Sequence, residues 1–305
     1  MAELDDLREI TGEYWVNNRF PRAITDNVRW IGGCSLIFLD EQRPDIVHSS
    51  LNAYVVLGSE RTIMVDTGHP ALWPEFVEKL HDALDGRQLD YVMPTHPEVP
   101  HGGALSLLKR EFPDLQVVGN PQDYHLYHPE IALEAYRPMS SGEKLSLGDR
   151  EFEVLEAQFK DLPNTVWGFD HGDAVLFPAD GFAFMHWHSQ DLCARFASEM
   201  KTPLSKDLYE VMTGIVSGVN FRDLSEKFDT FIDLIRRLQP VAIAPAHGSV
   251  VHDVSQALHY IEALRDVSLT PWRAEEPGKG SRWDQREADE GEGEASSTAR
   301  SRTSG

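Results

Sequence analysis

Polar, cation-holding residues terminate the apolar runs of this chain. YVMPTH ends on His96, EVLEAQFKD on Asp161, AVLFPAD on Asp180 and VAIAPAH on His247. Short apolar runs bounded by turn residues read as buried strands. Strand ends gather where the loops at one edge of a sheet sandwich meet, and binding residues concentrate on loops held by a rigid scaffold. The first of these ends opens a denser cluster, HPEVPH, which sets His96, Glu98 and His101 within six residues and Pro100 among them.

The remaining pattern fits a sandwich. NVRWIGG, CSLIFLD, LNAYVVLG and TIMVDTG read as strands, WPEFVEKLHDAL as a helix with apolar residues at helical spacing, and HGGALSLLKREF as the start of another. DLQVVGN reads as a strand, KLSLGDREFEVLEAQF as a hairpin turning at Gly148-Asp149, and WGFDHGDAVLFPAD as a hairpin turning at His171-Gly172-Asp173. SQDLCARFASEM, SKDLYEVMTGIVSG, LSEKFDTFIDLIRRL and VSQALHYIEALRDV read as helices, with VAIAPAHG as a late strand. This order predicts an α/β (α+β) fold of the αββα sandwich type, two face-to-face sheets with helices outside.

Charge and composition exclude several partners. The formal charge of -22 argues against nucleic acid and anionic membrane surfaces. Two cysteines, Cys34 and Cys193, make neither a disulfide framework nor a cysteine-based zinc site. The first residues lack the apolar region of a signal peptide, and no run approaches the roughly 20 apolar residues of a membrane-spanning helix. A cytoplasmic protein is expected. After Trp272 the chain is rich in Glu, Gly, Ser and Arg and nearly devoid of aliphatics, a composition that cannot offset its ordering entropy. The expected organisation is an N-terminal arm over 1–23, one domain over 24–271 and a disordered acidic tail over 272–305.

Three histidines and three carboxylates, His96, Glu98, His101, Asp161, Asp180 and His247, form an oxygen-rich donor set. Such mixed sets favour iron or manganese, although zinc also accepts His and carboxylate ligands. Asp66 of MVDTG reads as a structural residue under the site. His186 and His188 of MHWHS read as pocket wall or helix cap, and the other histidines as surface or packing residues.

The succession DTG, H-x-E-x-x-H-G-G, Asp161, PADGF and PAHG resembles the metallo-β-lactamase superfamily, in particular the di-iron domain of flavo-diiron and oxygen-binding di-iron proteins. HSSLNAYVVLGSERTIMVDTG, AQFKDLPNT and VLFPADGFAF also resemble segments of that family, and the similarity runs from about residue 24 to 265. The resemblance implies two iron ions, the first on His96, Glu98, Asp161 and Asp180, the second on His101, His247 and the bridging Asp180. Glu98, where zinc hydrolases carry histidine, points toward iron. Two positions depart from the family. Pro100 stands where it has an aspartate ligand, leaving the second ion with three protein ligands, which implies an open position for dioxygen or substrate, weak or absent metal there, or a gap filled by His69, His171 or His186. Asp161 stands where it has histidine. The implied function is a non-haem di-iron oxidoreductase that binds and activates dioxygen, reducing dioxygen or nitric oxide or oxidising a small organic substrate. The family's flavodoxin domain has no counterpart after residue 265, so electrons are expected from a separate donor or from the substrate itself. A homodimer is also implied. The rival readings are a metal-dependent hydrolase of the same superfamily and a non-catalytic oxygen sensor.

Overall fold

Leu51, Ala53, Val55 and Leu57 belong to one buried cluster, while Tyr54 and Val56 between them belong to another. That alternation follows from the period of two along a strand, and it means the strand is covered on both faces. In the computed structural model, which describes residues 19–36, 47–160, 162–183, 186–187, 194–199 and 225–265, this strand is β3 (Val47–Leu57). It lies within a sheet ordered β1 (Arg22–Ala23), β2 (Val28–Leu36), β3, β4 (Thr62–Val65), β5 (Tyr91–Met93), β6 (Gln116–Gly119) and β7 (Tyr136–Pro138). The second sheet runs β13 (Ala242–Ile243), β11 (Val175–Phe177), β10 (Val166–Asp170), β9 (Glu151–Glu156) and β8 (Lys144–Ser146). A short β12 (His186–Trp187) pairs with the start of β3.

Between the sheets lie Val28, Trp30, Tyr54, Val56, Ile63, Val65, Met93, Phe152, Val154 and Phe177. The outer face of the first sheet is covered by α1 (Trp73–Leu84) and α3 (Leu105–Glu111), which bury Phe76, Leu80, Leu84, Leu105 and Leu108. Helix α1 turns its apolar residues inward at positions 76, 80, 83 and 84 and stops at Asp85, whose left-handed φ of 50° ends the helical ladder. Helices α4 (Ser225–Leu238) and α5 (Val254–Arg265) flank β13 in sequence. The fold is the expected αββα sandwich. Among the described residues no helix is long and apolar enough to cross a membrane.

Four details differ from the sequence expectation. NVRWIGG and the CSL that follows it share the single strand β2, because Gly32 takes a φ of 141° and lets Leu51 O approach to 2.3 Å of where a Cβ would sit. The helix expected from His101 starts earlier, as the one-turn α2 (Val99–Gly102), and breaks before α3. The expected helix over 189–200 shows in its described part only a 3-10 turn, Ala197–Glu199. Ala194 before it has a left-handed φ of 59°, which a right-handed helix cannot hold. The late strand covers only Ala242–Ile243. Asp161, His188, the expected helix SKDLYEVMTGIVSG, most of the arm and the whole tail lie outside the described residues.

Candidate metal centre

Each functional side chain comes off the same edge of the sandwich. His96 follows β5, His101 sits in α2, Asp180 follows β11, and His247 follows β13. Thr95 O accepts from Val166 N at 2.9 Å, joining the His96 loop to the start of β10 in the other sheet. Ala246 N donates to Ala179 O at 2.8 Å, so the loops carrying His247 and Asp180 are tied residue to residue.

The donors converge. One ligand atom each from His96, His101 and Asp180 lies within 4.8 Å of the others. Asp180 Oδ2 is 3.9 Å from His96 Nε2, and its Oδ1 is 3.8 Å from His247 Nε2, so the carboxylate spans two imidazoles. Glu98 Oε2 is 3.6 Å from His96 Nε2. The rings of His96 and His101 are centred 4.1 Å apart, and those of His101 and His247 5.0 Å.

Hydrogen bonds turn the imidazoles inward. His101 Nδ1 lies 3.1 Å from Asp66 Oδ2; a carboxylate accepts, so Nδ1 carries the proton and Nε2 keeps its lone pair. His247 Nδ1 donates to Ser50 O at 2.7 Å, with the same consequence. Asp66 is the structural residue the sequence suggested: its other oxygen accepts from Thr95 N at 2.7 Å. Burial raises its carboxyl to about 6, against the opposing influence of His96 and of the Thr95 bond. His128, read from sequence as a packing residue, donates from Nε2 to Gly102 O at 3.0 Å and so braces the turn behind His101.

These residues fit a cation. His101 Nε2 and Asp180 Oδ1 are buried without a hydrogen-bond partner among the described residues. Burial, then the neighbouring His96, lower the His101 pKa well below its usual value, which keeps the ring neutral and able to ligate. Contact with His96 holds Glu98 down at about 2, against its partial burial, so it stays a carboxylate. Mixed nitrogen and carboxylate donors of this kind suit iron, manganese or zinc.

The structure brings His96, Glu98, His101, Asp180 and His247 together; Asp161 lies outside the described residues. Neither His69 nor His171 replaces the missing carboxylate. His69 caps a 3-10 turn, accepting from Ala71 N at 3.1 Å through Nδ1. His171 follows the far end of β10, about 16 Å along the strand at ~3.3 Å per residue, and sits 2.6 Å from Glu153. Of His186, only its backbone pairing in β12 is described. Pro100 has its own structural role: it occupies the first turn of α2, where its missing N–H costs no helical bond.

Sequence reasoning missed the support of the His247 loop. Ser50, Asn52 and Tyr54 all hydrogen-bond to residues 245–248. The available signal was polar Ser and Asn on the inward face of a strand whose alternation called for apolar residues there.

Residues 49–193 match the metallo-beta-lactamase superfamily. The chain is 24% identical over 250 residues to a coenzyme F420-H2 oxidase of Methanothermobacter marburgensis, covering 76% of this chain and 58% of that protein. It is 26% identical over 252 residues to an anaerobic nitric oxide reductase flavorubredoxin of Salmonella typhi, covering 75% and 48%. A solved variant of the flavo di-iron protein of Thermotoga maritima shares the fold with a TM-score of 0.64 at 15% identity, covering 83% and 61%. The chain thus spans about half to three-fifths of the length of the curated relatives it matches.

Proposed function

We propose that this chain is a non-haem di-iron oxidoreductase acting on dioxygen or nitric oxide. The observation that carries the reading is the position of Asp180, whose two oxygens face His96 on one side and His247 on the other. His96, Glu98, Asp161 and Asp180 would hold one iron, and His101, His247 and Asp180 the other. When bound, two ferrous ions supply the electrons that reduce the gas. The protein's own contribution is positional and electrostatic. Asp66 and the Ser50 carbonyl fix the tautomers of His101 and His247, and Glu98 and Asp180 offset the positive charge of the ions. His96 and His101 are fully buried, which excludes bulk water from the inner wall, whereas the Glu98 side chain is 48% exposed and marks the open side.

The reading extends to the rest of the notional machinery. In this reading residues 24–271 would form the catalytic domain, electrons would come from a separate donor, and the setting would be the cytoplasm. The test is anaerobic purification with metal analysis, then optical spectra before and after air or nitric oxide. Iron near two per chain with gas-dependent oxidation supports the assignment; stoichiometric zinc with turnover of esters or lactones would replace it with a hydrolase. Pro100→Asp should tighten the more weakly held ion in a competition titration, since it adds a carboxylate one residue before His101.

A further inference from the structure

We propose that Asn52 is the positioning residue for His247, and through it for the ion on that side of the centre. The proposal rests on the metal-centre reading above.

Asn52 is 0% exposed and every polar atom of its side chain is used. Oδ1 accepts from the Trp30 indole Nε1 at 3.0 Å. Nδ2 donates to Pro245 O and to Gly248 O, each at 2.7 Å. An indole nitrogen only donates and a carbonyl only accepts, so the amide has a single orientation. Its two protons therefore grip the backbone on both sides of Ala246-His247. The main chain adds to the grip: Asn52 N donates to Ala246 O at 3.0 Å, and Tyr54 Oη donates to Pro245 O at 2.6 Å. From the other sheet, Ala244 N and Ala246 N donate to Leu176 O and Ala179 O, each at 2.8 Å. Residues 244–248 are thus a bracket between the sheets, and Asn52 is the side chain that spans it. Asparagine is the residue this geometry asks for. Aspartate has the same shape but would face two carbonyl oxygens with acceptors, and glutamine is one methylene too long.

The test compares Asn52→Asp, Tyr54→Phe, His247→Ala and, as a control, the remote core trim Ile63→Val. Each full-length protein is stripped of metal and titrated anaerobically with Co(II), recording ions bound and the visible spectrum of the ion. His247→Ala should lose one ion. In Asn52→Asp that same ion should bind about 10- to 100-fold more weakly, as supporting-residue losses typically do, with an altered spectrum. Tyr54→Phe, which removes one hydroxyl from the same bracket, should weaken it less and decides the question if Asn52→Asp does not fold. Ile63→Val should bind as the wild type does. Wild-type affinity and spectrum in both Asn52→Asp and Tyr54→Phe would overturn the proposal alone. No Co(II) on the wild type, or no loss in His247→Ala, would overturn the metal-centre reading and the proposal with it.

Discussion

At both ends of the sandwich the strands run out into charged groups, but among the described residues only one end sets a guanidinium beside its carboxylates. At the end away from the centre, the Arg150 side chain is 6% exposed and lies 3.4 Å from Asp170, 3.2 Å from Asp173 and 3.2 Å from Asp149. Asp170 also accepts from Gly172 N and Asp173 N, while Asp173 accepts from Thr25 and Asn27. Every carboxylate there is answered within the chain. At the metal end, Glu98 and Asp180 meet imidazoles among the described residues, and two of those imidazoles are held with lone pairs facing inward. Burying charge without a partner costs several kcal/mol. One end avoids that cost with a guanidinium; at the other the carboxylates face imidazoles among the described residues, an arrangement suited to a cation.

The largest break in this contrast is Arg150→Met. It leaves Asp170, which is fully buried, without its cation and should destabilise the chain by about 3–5 kcal/mol in urea unfolding. Metal content per folded chain should stay at the wild-type value. The next effect is at the other end: iron at about 100 times its Kd should add roughly 2.7 kcal/mol to wild-type stability. Asp180→Ala should remove half or more of the bound iron and most of that increment. Its metal-free form should unfold within about 1 kcal/mol of the metal-free wild type, since no in-chain counter-charge is lost. A drop as large as that of Arg150→Met would erase the distinction between the two ends.

The smallest effect calibrates the comparison at the surface. Arg22 bonds Glu199 at 2.7 Å, and this hydrogen bond holds the Glu199 carboxyl at about 2, opposed by slight burial. A carboxylate depressed on folding contributes stability that is present above its unfolded pKa of about 4.3 and is lost as pH falls toward 2. Because the Glu199 side chain is 39% exposed, solvent screens the pair and Glu199→Gln should cost under about 1 kcal/mol at neutral pH. That difference should vanish in unfolding curves taken near pH 2.

Much of this was legible in the chain. IMV and VLF are apolar throughout and are buried on both faces within strands β4 and β11. WPEFVEKLHDAL is a helix over its whole length because its spacing and its left-handed terminus are both local properties. The donors His96, Glu98, His101, Asp180 and His247 were visible as polar ends of apolar runs. Gly32 was less legible: whether a glycine breaks a strand or lets a neighbour approach depends on Leu51, nineteen positions away. Asn52 was equally opaque, since its partners lie in two segments remote from it in the chain, Trp30 in one and Pro245 and Gly248 in the other.

The sequence by itself determined which side chains could serve as donors and that they follow apolar runs, because hydrophobic periodicity and side-chain chemistry are written residue by residue. Only the tertiary structure decided that Asp180 faces two histidines at once, that His171 belongs to the far end, and that an arginine neutralises one end of the sandwich and not the other. Those outcomes depend on which strand ends the two sheets bring within a few ångströms, and pairing across the chain is not encoded in any local window.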